Sequence, residues 1–86
     1  MYDLNILESV FLSAYRCNLN YVGVRVRIEG ENPADEFIIN PRANILSKLE
    51  YYKSAYNEDL TLKSNPNVKI VGLAYGNNFD EIQRLI

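Results

Sequence analysis

Histidine and tryptophan are absent from this chain, cysteine and methionine occur once each, and there are only four glycines and three prolines. Without histidine, a serine or cysteine nucleophile lacks its commonest partner base. Zinc and related ions are held mainly by His and Cys at defined spacing, and Cys17 is the single residue of either kind. A lone cysteine closes no internal disulfide, so stabilisation has to come from packing, and such sparse cysteine usage fits a reducing compartment. No glycine-rich phosphate loop and no acidic cation-loop pattern is present. No run approaches the ~20 apolar residues that a membrane-spanning helix needs, and the N-terminus has no basic region ahead of an unbroken apolar stretch. These absences predict a cytoplasmic protein that works without a membrane, a cofactor or a bound metal.

The charge balance is also modest. Nine basic and eleven acidic side chains give a net charge of -2, which offers no global attraction to nucleic acid or to an anionic surface. Of the 86 residues, 48% are hydrophobic and 23% charged, the composition of a chain that folds unaided. That length suits one domain, residues 1–86, rather than two. Eleven asparagines, together with many Ile, Lys and Tyr, match AT-rich coding DNA and point to a low-GC bacterium or one of its phages.

Apolar spacing predicts the elements. Leu4, Leu7, Val10, Phe11 and Ala14 gather on one face of a helix from Asp3 to about Cys17. Asp3 or Asn5 is placed to cap its first turn, and Asn18 and Asn20 sit where the chain leaves it. Val22, Val24, Val26 and Ile28 then alternate with Tyr21, Gly23, Arg25, Arg27 and Glu29, which predicts a strand with one buried face. The turn-forming stretch from Gly30 to Asp35 returns the chain into a second strand, Glu36 to Ile39, through a loop longer than two residues. Asn40 and Pro41 read as the N-cap and first residue of a second helix running to about Glu58, with Ile45, Leu49, Tyr52 and Tyr56 on its inner stripe and Leu46 beside it. Asp59 to Asn67 reads as loosely packed chain. Val68 to Tyr75, apolar on both faces, predicts a covered or central strand ended by Gly76. Asn78 and Glu81 form a capping box for a short last helix whose inward side is Phe79, Ile82 and Leu85 or Ile86.

The expected fold is therefore a small α/β (α+β) domain of order α-β-β-α-β-α, with a three-stranded mixed sheet packed against helices. A right-handed crossover makes the second and third strands parallel. Strand order 2-1-3 is preferred, leaving the Arg25 and Arg27 face to solvent.

Candidate functional residues are few. Cys17 reads better as a small residue at the edge of the first helix's inner face than as a nucleophile activated by Arg16. The pairs Glu58 with Asp59 and Asp80 with Glu81 point about 100° apart on a helix and read as solvating or capping groups rather than paired catalytic acids. Glu29, Glu31, Asp35 and Glu36 read as a solvated hairpin turn. Tyr21, Arg25 and Arg27 would share a sheet face, a stacking ring beside two guanidinium groups, and are the candidate nucleic-acid contacts. Glu29 in the same row, with Glu36 across from it, favours a cross-strand ion-pair ladder instead, and nucleic acid is the disfavoured partner. Seven of the ten aromatic residues are tyrosines, which bury a ring while keeping a polar contact. Tyr51, rotated from the inner stripe of its helix, and Leu12, off the stripe of the first, are the candidate protein contacts. The two open edges of a three-stranded sheet also allow a homodimer. The sequence thus predicts a non-enzymatic protein-interaction or regulatory module, in the style of a phage or mobile-element accessory protein, acting on an unidentified protein partner.

Overall fold

Asp3 begins the first helix, because its Oδ1 accepts from the Ile6 N–H at 2.8 Å and satisfies a donor that has no intrahelical partner. In the computed structural model, which describes residues 2–85 and only the backbone of Leu85, this helix α1 spans Leu4–Arg16. Its end is a Schellman turn. Asn18 takes the left-handed conformation at φ 58°, its N–H donates to Tyr15 O, and the Leu19 N–H donates to Ala14 O. Cys17 stands at the C-cap and is exposed, so the expectation of a place on the inner face fails: its C-cap position carries its side chain outside the Leu7, Phe11 and Ala14 stripe.

Strand β1 covers Tyr21–Ile28 and β2 covers Ala34–Pro41, paired antiparallel from Tyr21 opposite Pro41 to Ile28 opposite Ala34. The second strand thus runs two residues further at each end than its apolar core implies. Asn40 does not cap a helix. It lies in β2, almost fully buried, and its Nδ2 donates to Val22 O at 3.3 Å. The ladder keeps Asn40 and Pro41 extended, and the chain turns only through a 3-10 segment at Arg42–Asn44. Helix α2 follows at Ile45–Ala55, with Tyr56 as its C-cap rather than Glu58 as its end. Ile45, Leu49, Tyr52 and Tyr56 are buried as their stripe requires, while Leu46 is exposed.

The segment after α2 is not loose. Leu60 is fully buried in the left-handed conformation (φ 67°), and a two-residue strand β3, Thr61–Leu62, turns into β4, Asn65–Gly76. Asp59 holds this turn by accepting from both the N–H and the hydroxyl of Thr61, which also keeps its carboxyl below the usual range. The sheet therefore has four strands in the order β2-β1-β4-β3. Every pairing is antiparallel. The mixed sheet expected from the sequence is corrected on this point: β2 and β4 run the same way, but β1 lies between them, so no parallel pair forms. The expected 2-1-3 order of the three longer strands is what occurs.

One face of the sheet carries Val22, Val24, Val26, Ile70 and Leu73 against Leu7, Phe11 and Ala14 of α1 and Ile45, Leu49 and Tyr52 of α2. Helix α3, Phe79–Leu85, packs on the opposite face. It starts with one half of the expected capping box: the Glu81 N–H donates to Asn78 Oδ1 at 2.8 Å, but the Glu81 carboxylate accepts from Asn78 Nδ2 and the Asn77 N–H, both at 3.5 Å, rather than from the Asn78 N–H. Ile82 is buried, but Phe79 is 52% exposed because its ring lies edge-on to Tyr21 instead of entering the core. The Leu85 side chain and Ile86, the other expected inward residues, lie outside the described residues.

Candidate interaction surfaces

Tyr51 is held out of the core by helix geometry and held still by its neighbours. It stands one residue, about 100°, from Tyr52 on α2. Its ring meets Tyr52 edge-on at 5.2 Å and Tyr56 at 6.4 Å, and Tyr52 in turn meets Phe11 of α1 at 5.6 Å. Lys48, one turn earlier, places Nζ 5.3 Å from the Tyr51 centroid. The side chain is nonetheless 48% exposed. An aromatic chain thus runs from the core to the surface, and its last ring is open to solvent.

The electrostatics along this chain follow burial. Desolvation pushes the Tyr52 phenol up to about 12, with the Asn40 side chain pulling the other way. Burial also raises Tyr56, and Tyr51 and Glu36 add to that shift. Both inner hydroxyls therefore stay protonated at neutral pH.

Leu12 occupies a different place. Glu8, one turn before it, pairs with Lys53 of α2 at 2.6 Å, so this flank of α1 faces α2. Leu12 is half-buried and packs against the core cluster. Tyr51 lies two positions, about 200°, around α2 from Lys53 and projects away from α1. The two residues therefore do not share a surface.

Tyr21, Arg25 and Arg27 do fall on one face of β1, but α3 covers part of it, so the expectation of an open solvent face fails for the Tyr21 end. The Tyr21 ring is half-buried and meets Phe79 in an edge arrangement at 4.9 Å. Arg27 is exposed and forks onto Asp35 directly across β2, Nε to Oδ1 at 3.0 Å and Nη2 to Oδ2 at 3.2 Å. This pair holds the Asp35 carboxyl below the usual range, with Arg25 adding to the effect. On the other side of Arg27 stands Lys69, whose charge acts on Asp59. The row is thus Lys69, Arg27, Asp35, with Thr61 beyond Lys69. Glu36 is not part of it: its register partner is Val26, which places it on the opposite face.

Among the other acids, Asp3 and Asp59 cap a helix and a turn, and the backbone carbonyl of Glu58 accepts from the Leu4 N–H. Glu81 caps α3. Among the described residues, no group of three or more Cys, Asp or Glu side chains is gathered where it could hold a metal ion. Among the described residues, no helix is long and apolar enough to cross a membrane.

Two features escaped sequence reasoning. Arg42 lies 4.5 Å over the Tyr15 ring and donates to Tyr15 O at 2.9 Å, tying the start of the second helical segment to the end of α1. No local pattern announces a contact between residues so far apart. The docking of α3 on β1 had one signal, Gly23 among valines, since a glycine inside a strand marks a close approach. No family model, no curated protein and no solved structure matches this chain.

Proposed function

We propose that this protein is a small non-enzymatic interaction or regulatory module that engages a protein partner through Tyr51. The observation that carries the reading is the exposed Tyr51 ring braced by Tyr52 and Tyr56. A ring already held in place loses little freedom on binding, and its hydroxyl keeps a polar contact when the ring is covered, which is the behaviour of an interface anchor. The composition supports an accessory factor of a bacterium or phage with AT-rich DNA, acting in the cytoplasm.

Nucleic-acid binding through Tyr21, Arg25 and Arg27 has less support. Binding of that kind draws most of its affinity from free cations on phosphates, and here Arg27 is already neutralised by Asp35 while Tyr21 is half-buried beside Phe79.

The test is affinity capture from the source cell with the wild-type chain and with Tyr51→Ala. A stoichiometric protein partner lost on Tyr51→Ala, with an unchanged melting curve, is the expected result. A partner retained by the folded variant, or nuclease-sensitive nucleic acid lost on Arg25→Ala with Arg27→Ala, overturns the assignment.

A further inference from the structure

A second surface, away from Tyr51, is built around the edge of β4. Strand β3 runs beside β4 only as far as Lys69, and the Ile70 N–H donating to Leu60 O at 3.0 Å is the last backbone hydrogen bond on that side. From Val71 to Gly76, the side of β4 away from β1 has no strand next to it, and among the described residues no other group hydrogen-bonds its backbone there. Unpaired N–H and C=O groups in extended chain are a template for another strand.

The two sheet edges differ in chemistry. The edge strand β2 carries Asp35, Glu36 and Pro41, with Pro33 just before it, and such charges and prolines discourage pairing. The open part of β4 reads Val71, Gly72, Leu73, Ala74, Tyr75, Gly76, with neither charge nor proline.

Helix α1 adds an apolar rim. At 100° per residue, Leu7, Phe11 and Ala14 face the core, Glu8 and Leu12 lie on the flank toward α2, and Ile6 and Val10 lie on the other flank. Ile6 is 39% exposed. Val10 lines a groove of about 260 Å³ with Leu73, Ala74 and Tyr75, which places this flank beside the open edge. Leu73 and Ala74 are themselves mostly covered, so an incoming strand meets the backbone and the rims formed by Val10 and Tyr75.

We propose that this surface pairs with its counterpart on a second copy of the chain. Two β4 strands lie antiparallel about a two-fold axis near Leu73, joining both sheets into one, with the two α1 helices side by side on one face. A two-fold interface brings each patch against itself, so it must be self-complementary. Here Val71 faces Tyr75 and Gly72 faces Ala74, and no charged side chain meets another. The same rotation brings the Ile6 and Val10 stripe against its own copy. An unrelated partner would have to supply both a neutral strand and an apolar helix flank, whereas a second copy supplies both already placed.

Sedimentation of the full chain over a range of concentrations tests this directly, with Ile6→Lys and Val10→Lys combined as the disrupting variant. The expected result is a concentration-dependent dimer for the wild type, its loss in the variant, and amide-exchange protection of Val71–Gly76 that grows with dimer. If the double variant loses its circular-dichroism signature, Ile6→Lys alone, at an exposed position, reads the same shift. A wild type that stays monomeric at every concentration, a dimer that persists in the folded variant, or protection that falls on Ala34–Pro41 instead overturns the proposal. Tyr51→Ala leaves the dimer unchanged, which separates this surface from the one proposed for the protein partner.

Discussion

The space in which Gly23 would carry a Cβ is filled by Ile82 Cγ2 of α3, with Phe37 Cζ only 2.9 Å away. A side chain at position 23 and the docking of α3 are therefore mutually exclusive without movement. Gly23→Ala should destabilise the protein by about 1–3 kcal/mol through overpacking, read as a lower urea midpoint. An unchanged midpoint would mean that α3 is not seated on β1 in solution.

Leu60 combines full burial with a left-handed backbone. Leu60→Ala should cost about 2–5 kcal/mol, because the cavity it leaves lies in the main core. Leu60→Gly should cost no more than Leu60→Ala, although glycine is ordinarily the worse residue, since glycine alone adopts this φ without strain. A glycine variant clearly less stable than the alanine variant would contradict the backbone assignment.

Tyr52 contributes to the alkaline limit of stability. Its folded-state value of about 12 lies above its ordinary value of 10.0, so the unfolded chain ionises first as pH rises. Stability from this group is whole below pH 10 and is lost progressively from there towards pH 12. Tyr52→Phe should flatten that decline, followed by denaturant melts at several pH values. An equally steep alkaline loss in Tyr52→Phe would locate the cause elsewhere.

Asp35 acts at the other end of the scale. Arg27 lowers its folded-state value, so its contribution is present above the ordinary carboxylate range and lost as pH falls through the lowered value. Both partners are exposed and screened by solvent. Asp35→Asn should therefore cause a small loss of stability at pH 7 that shrinks at high salt and fades as pH falls from about 4 through the lowered value. A loss that persists in acid would show that the aspartate does something other than pair with Arg27.

Local reading succeeded wherever one element's own pattern carries the answer. The core stripes of α1 and α2, the alternation of β1, and the Asn78 cap of α3 all depend on residues within one or two turns of each other. It failed at Asn40, whose cap-like setting before Pro41 was overridden by the β1 ladder, and at Phe79, whose place on the apolar side of a short helix was decided by Tyr21. Asp59 to Leu62 looked loose because a buried leucine between polar residues has no period to reveal it. For the surfaces, the exposure of Tyr51 followed from its angle to Tyr52, but the bracing by Tyr56 and the occupation of Tyr21 by Phe79 required the folded chain.

The amino-acid order by itself determined which helices and long strands form, because hydrophobic period and capping are encoded between near neighbours. It also determined that chemistry needing histidine or more than one cysteine has no residues to draw on. The tertiary structure alone decided that the sheet is wholly antiparallel with a fourth strand, that α3 covers the tyrosine end of the arginine face, and that, among the described residues, no strand pairs with the neutral edge of β4. Those outcomes depend on contacts between residues tens of positions apart, where burial and backbone pairing are settled jointly and no single segment carries the signal.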